Sequence, residues 1–116
     1  MEITKSTSAA DRSEWRAWLE EHHATEWEVW LVYAKKGCGK PSITYLESLE
    51  EALCFGWIDS LVKTIDDERF AQKFTPRKAK SKWSESNKRR VKKLVREGRM
   101  TEAGLATAKG MLEDDG

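Results

Sequence analysis

The chain has 116 residues, 39% hydrophobic and 35% charged, with a formal net charge of +1 and six tryptophans. That length holds one core and is too short for two, and so many indoles argue for a packed interior rather than a disordered chain. No run of about 18 apolar residues exists, which excludes a membrane-spanning helix. The opening Met1-Glu2-Ile3-Thr4-Lys5-Ser6 lacks the apolar core of a signal peptide, so the cytoplasm is the expected compartment, with no membrane insertion.

The small net charge hides a split. Between Lys73 and Arg99 stand twelve Lys/Arg against Glu85 and Glu97, a local charge of +10 that leaves −9 for the remainder. Such asymmetry points to an anionic partner or to attraction between the two halves of the fold. Cys54 lies in an apolar run and reads as a small buried hydrophobe, whereas Cys38, between two glycines, reads as an exposed loop residue. No CxxC pair or Cys/His cluster exists, so no metal site is expected, and both thiols are expected to be reduced.

In chain order, residues 1–9 read as a frayed tail, small and polar without periodicity. Asp11 followed by Glu14 predicts a capped helix to about His22, with Trp15, Trp18, Leu19 and His22 on one face. His22 and His23 are neighbours on that helix, point about 100° apart and are poorly placed to share a metal. Val29-Trp30-Leu31-Val32-Tyr33 predicts a central strand covered on both faces. In the loop that follows, Gly39-Lys40 resembles the end of a phosphate-binding loop. Ala34 stands where that motif needs its first glycine, however, and Pro41 where it needs Ser or Thr.

Thr44 and Glu47 predict a second capped helix running to about Phe55. Tyr45, Leu46, Leu49, Ala52, Leu53 and Gly56 form its apolar stripe, and Glu47, Glu50 and Glu51 are expected on its outer side. Gly56 is placed to end it in a left-handed conformation. A strand over 61–65, a turn at Asp66-Asp67-Glu68 and a return strand over 70–74 predict a hairpin, closed off by Pro76. Lys63 and Arg69 lie within it, in reach of Asp59 or the turn acids. A basic linker leads to Ser84, the cap of a third helix over about 85–97 with Val91, Leu94 and Val95 as its seam. Thr101 opens a short fourth helix, and residues 111–116 read as an acidic tail. The sum is one α+β domain over 10–110, with a small antiparallel or mixed sheet of about three strands packed against about four helices.

Two candidate surfaces follow. Trp57 and Asp59, an aromatic beside an acid, combine with Lys63, Arg69 and Arg77 as a ligand-binding group. An Asp just past a helix end more often serves the backbone of a turn, and the local candidates for a second acid–base group, Lys63 and Arg69, are more often ion-pair partners than catalysts. The second surface is the basic arm. Lys78, Lys80, Lys82 and Arg89, with Trp83 as a stacking platform, match the charge-plus-aromatic pattern of polyanion binding. Lys88, Lys92, Lys93 and Arg96 extend its outer helix face. No catalytic residue and no cofactor is expected: the core position of Cys54 disfavours a thiolate, and no serine sits in a nucleophile-elbow pattern.

Several stretches resemble the YdeI/OmpD-associated, or bacteriocin-protection, family. They are Glu51-Ala52-Leu53-Cys54-Phe55-Gly56-Trp57-Ile58-Asp59-Ser60, Phe74-Thr75-Pro76-Arg77, Ser81-Lys82-Trp83-Ser84 and Glu97-Gly98-Arg99-Met100-Thr101. The Trp15 helix and the 29–33 strand with its Lys35-Lys36-Gly37 loop fit as well. The resemblance implies a small bacterial α+β protein linked to tolerance of bacteriocins and cationic antimicrobial peptides, and it does not imply an enzyme. It also suggests an envelope-protein partner. The expected state is a monomer or weak dimer.

Overall fold

The computed structural model describes residues 5–115 apart from 36, 38, 40 and 79–81. Eight elements follow one another: β1 (Ser6–Ser8), α1 (Arg12–His22), β2 (Val29–Ala34), α2 (Tyr45–Cys54), β3 (Trp57–Thr64), β4 (Arg69–Pro76), α3 (Glu85–Arg96) and α4 (Glu102–Asp115). The expectations for Cys38, Lys40 and Lys80 fall outside the described residues.

Local chemistry starts three of the helices as the sequence predicts. The Asp11 carboxylate accepts from Glu14 N at 3.0 Å, and the Glu14 carboxylate accepts from Ala10 N at 2.8 Å. Thr44 and Glu47 form the reciprocal capping box of α2, and Ser84 caps α3 through Asn87 N. Each such cap satisfies amide groups that a helix end leaves without partners. Gly56, at φ +77°, turns the chain from α2 straight into β3.

The sheet is mixed, with strand order β1-β2-β4-β3. β1 runs parallel to β2, and the other two pairings are antiparallel. The register Val29–Phe74, Leu31–Gln72 and Tyr33–Phe70 puts these six side chains on one face. That face, with Trp57, packs with Trp15, Leu19, Leu49, Leu53, Val91 and Leu94 into one core. Trp15 stacks on Trp18 at 5.5 Å and Trp57 meets Trp18 edge-on at 5.9 Å, geometries that suit the ring quadrupoles. Trp30 points to the other face and is also buried, whereas Trp27 is 82% exposed, the exception to the expected burial of the indoles.

Four expectations need correction. Residues 6–8 are not a tail: Trp30 N donates to Lys5 O at 2.8 Å and Ser6–Ser8 pair with β2. A polar three-residue edge strand gains its place from backbone hydrogen bonds, which leave no hydrophobic period to read. The helical part of the C-terminus also extends further, to Asp115, because Gly104, Ala108 and Met111 continue a buried stripe at helical spacing. On α3, Val95 is 41% exposed, so the seam is Val91 and Leu94.

The fourth correction concerns α2. Glu50 and Glu51 are buried, at 5% and 0% exposure, and Tyr45 and Leu46 at its start are exposed. Cations from three other segments cover the two carboxylates. Glu50 accepts from Arg12 Nη2 at 2.9 Å and Lys93 Nζ at 3.1 Å. Glu51 accepts from Arg16 Nη1 at 2.8 Å and from Arg99 Nη2. A buried carboxylate is tolerable only when paired in this way.

Candidate functional site

Helix α3 carries Ser86, Arg89, Arg90 and Lys93 at positions i, i+3, i+4 and i+7, which is one face of a helix. They line a shallow depression of about 210 Å³. Arg90 Nη1 donates to Asn87 Oδ1 at 2.8 Å, and Lys93 is paired with Glu50 at 3.1 Å. Arg89 is exposed, and among the described residues no carboxylate lies within ion-pairing distance of it.

Tyr45 is the first residue of α2, the helix joined to this face by the Glu50–Lys93 pair, and is 44% exposed. Its hydroxyl donates to Asp59 Oδ2 at 2.9 Å, and Gln72 Nε2 reaches the same oxygen at 3.4 Å. Burial and then the Asp59 carboxylate raise the Tyr45 pKa, while the positive charge of Arg90 works against that rise. Tyr45 is therefore a protonated, oriented ring and not a base. Behind it, Tyr33 is bonded to Ser48, and burial pushes its hydroxyl pKa up further.

The residues singled out in the sequence divide. Trp57 is 1% exposed within the core and offers a ligand no surface. Asp59 shares the helix-facing side of the sheet with Phe74, half-buried and held by Tyr45 and Gln72. Lys63 pairs with Ala71 and so lies on the opposite face, as does Arg69 by the same alternation. Arg69 bonds to Asp66 at 2.9 Å, the partnership with a turn acid expected of it. It also lines a cleft of about 530 Å³ beside Ser6–Ser8, Val32 and Ser42. The group Trp57, Asp59, Lys63, Arg69 and Arg77 does not form one surface.

In the basic arm, Arg77 lies 3.8 Å over the ring of Trp83 and donates to Lys82 O at 2.8 Å. Burial lowers its pKa, and a guanidinium stays charged regardless. Arg77 is thus a brace for the loop, and it takes one face of the indole that the sequence offers for stacking. Lys78 and Lys82 are exposed, and among the described residues no carboxylate pairs with either. Part of the arm's charge is matched internally, through Lys73–Glu28 at 2.8 Å, Lys88–Glu85 at 3.4 Å, Lys93–Glu50 and Arg99–Glu51.

Sequence reasoning missed Ser86, Arg90 and Tyr45. The i, i+3, i+4, i+7 spacing of Ser86, Arg89, Arg90 and Lys93 was the available signal for α3. Tyr45 was hidden because its aromatic ring fits the apolar stripe of α2.

These features define a single α+β domain of four helices and a four-stranded mixed sheet, with a cationic face on its third helix. The chain belongs to the family described as "Domain of unknown function (DUF8412)", which matches residues 7–107. Comparison with curated proteins and with solved structures finds no match. Among the described residues, no helix is long and apolar enough to cross a membrane.

Proposed function

We propose that this is a non-enzymatic binding protein that takes polyanions on the exposed cations of residues 73–99, as a monomer or weak dimer in the cytoplasm. The observation that carries this reading is the exposure of Lys78, Lys82 and Arg89 without a carboxylate partner among the described residues. Had the acidic part of the chain existed only to neutralise the arm, these positions would be matched as Lys73 and Arg99 are. Asp59, the acid best placed for chemistry, is instead held by Tyr45 and Gln72, which supports binding over catalysis.

A role in tolerance of bacteriocins and cationic peptides, with an envelope-protein partner, rests on the family resemblance alone. Such peptides carry the same sign of charge as this face of α3, so direct capture there is disfavoured. The test of the polyanion reading is the salt needed to elute the protein from immobilised heparin. The variant Lys78→Ala/Lys82→Ala/Arg89→Ala should elute at clearly lower salt than the wild type. Co-elution would overturn the reading.

A further inference from the structure

Resting on the polyanion reading, we propose that the depression on α3 and the ring of Tyr45 together form a subsite for single-stranded nucleic acid. In it, Arg89, Arg90, Lys93 and the Ser86 hydroxyl hold a backbone phosphate while a base stacks on Tyr45. Ser86, Arg89, Arg90 and Lys93 line a depression of about 210 Å³; Arg89 has no carboxylate partner among the described residues, Arg90 keeps donors beyond the one given to Asn87, and Lys93 is shared with Glu50. Phosphate oxygens are satisfied by such a set of forked and point-charge donors.

The second component separates nucleic acid from other polyanions. Tyr45 is exposed on α2, the helix bonded to α3 through Glu50 and Lys93, and its ring is fixed because its hydroxyl is spent on Asp59. A ring fixed before binding loses little freedom when a base stacks on it. Val62 extends the apolar surface: it pairs with Gln72, whose amide reaches the same Asp59, and it is 64% exposed. Cationic grooves with aromatic platforms bind unpaired strands without sequence preference, since every base has a π-face. A duplex keeps those faces stacked inside, and heparin or an acidic peptide has none to offer.

The test measures the affinity of the intact protein for fluorescently labelled oligothymidylate, heparin and polyglutamate at low salt. Three variants are compared with the wild type, with circular dichroism confirming that each is folded. Arg89→Ala should weaken oligothymidylate and heparin alike. Tyr45→Ala should weaken oligothymidylate about tenfold, in keeping with loss of one stacked base, and leave heparin unchanged. Tyr45→Phe, which keeps the ring and drops the bond to Asp59, should retain most of the oligothymidylate affinity.

Equal losses for heparin and oligothymidylate in Tyr45→Ala would overturn the stacking role. Polyglutamate bound as tightly as oligothymidylate, with the same dependence on Tyr45, would overturn the nucleic-acid assignment. Oligothymidylate affinity untouched in all three variants would remove the subsite while the polyanion reading stood. No binding of any polyanion would remove both.

Discussion

Glu51 has no exposed surface, and its Oε1 accepts a hydrogen bond from Arg16 Nη1 at 2.8 Å. The pair joins α2 to α1, and Arg16 Nη2 goes on to Arg99 O at 3.0 Å, so one guanidinium holds three segments together. Removing one partner of a buried pair strands the other charge away from water. Arg16→Ala should therefore lower stability by roughly 3 kcal/mol, the low end of the usual range because Arg99 still reaches Glu51. Urea unfolding midpoints check this, and a loss below about 1 kcal/mol, as for an exposed pair, would contradict it.

Acid should act through the neighbouring carboxylate. Burial alone would raise the Glu50 pKa, but hydrogen bonds from Lys93 and Arg12 outweigh it and hold the pKa below its ordinary value. A pKa depressed on folding gives stability that is present above the unfolded value and lost as pH falls through the folded one. The exposed Asp66, its pKa lowered by Arg69, acts in the same direction. Melting temperatures should thus hold near neutral pH and fall below about pH 4.3, the ordinary glutamate value. Glu50→Gln should show a shallower acid decline than the wild type; parallel declines would contradict the assignment.

The contact between α4 and the end of α2 gives a test in which two effects oppose. Alanine favours a helix over glycine by about 1 kcal/mol. A Cβ on Gly104, however, would lie 2.2 Å from Cys54 O, and that carbonyl already accepts from Thr101 Oγ1 at 2.6 Å. Backbone at such a distance must move, and overpacking of this kind costs about 1–3 kcal/mol. At Gly110 an added Cβ meets nothing within 4 Å. Gly104→Ala should destabilise and Gly110→Ala should stabilise, read from denaturant midpoints. Shifts of the same sign would show that α4 does not pack as described.

Much of this architecture is legible in the sequence, and the gaps have a common cause. The caps at Asp11, Thr44 and Ser84, the stop at Gly56 and the hairpin after it are local, so spacing reveals them. The burial of Glu50 and Glu51 is not local, since it depends on Arg12, Arg16, Lys93 and Arg99, which stand 35 to 48 residues away along the chain. For the same reason Lys93 reads as a solvated-face residue until its bond to Glu50 is known. Of the candidate site, the basic arm and Arg89 are visible in the charge pattern. The ring that completes it is not, because an exposed tyrosine and a core tyrosine have the same periodicity.

Cys54 offers a probe of the core independent of stability. Burial first, and then the Glu51 charge, push its thiol pKa up, which disfavours the reactive thiolate. In a Cys38→Ser background the remaining thiol should react very slowly with an aromatic disulfide reagent in the native protein and rapidly in urea. Fast reaction of the native protein would contradict the burial of Cys54.

The central claim is that the exposed cations of the basic arm take up phosphates, and the salt dependence of oligothymidylate affinity tests it most directly. Each phosphate neutralised on a single strand contributes about −0.7 to the slope of log affinity against log salt. The wild type should bind at low salt and weaken steeply as salt rises. The Lys78→Ala/Lys82→Ala/Arg89→Ala variant should have a slope shallower by about two units, from three lost contacts. Absence of binding at low salt, or slopes that coincide for the two proteins, would contradict the account.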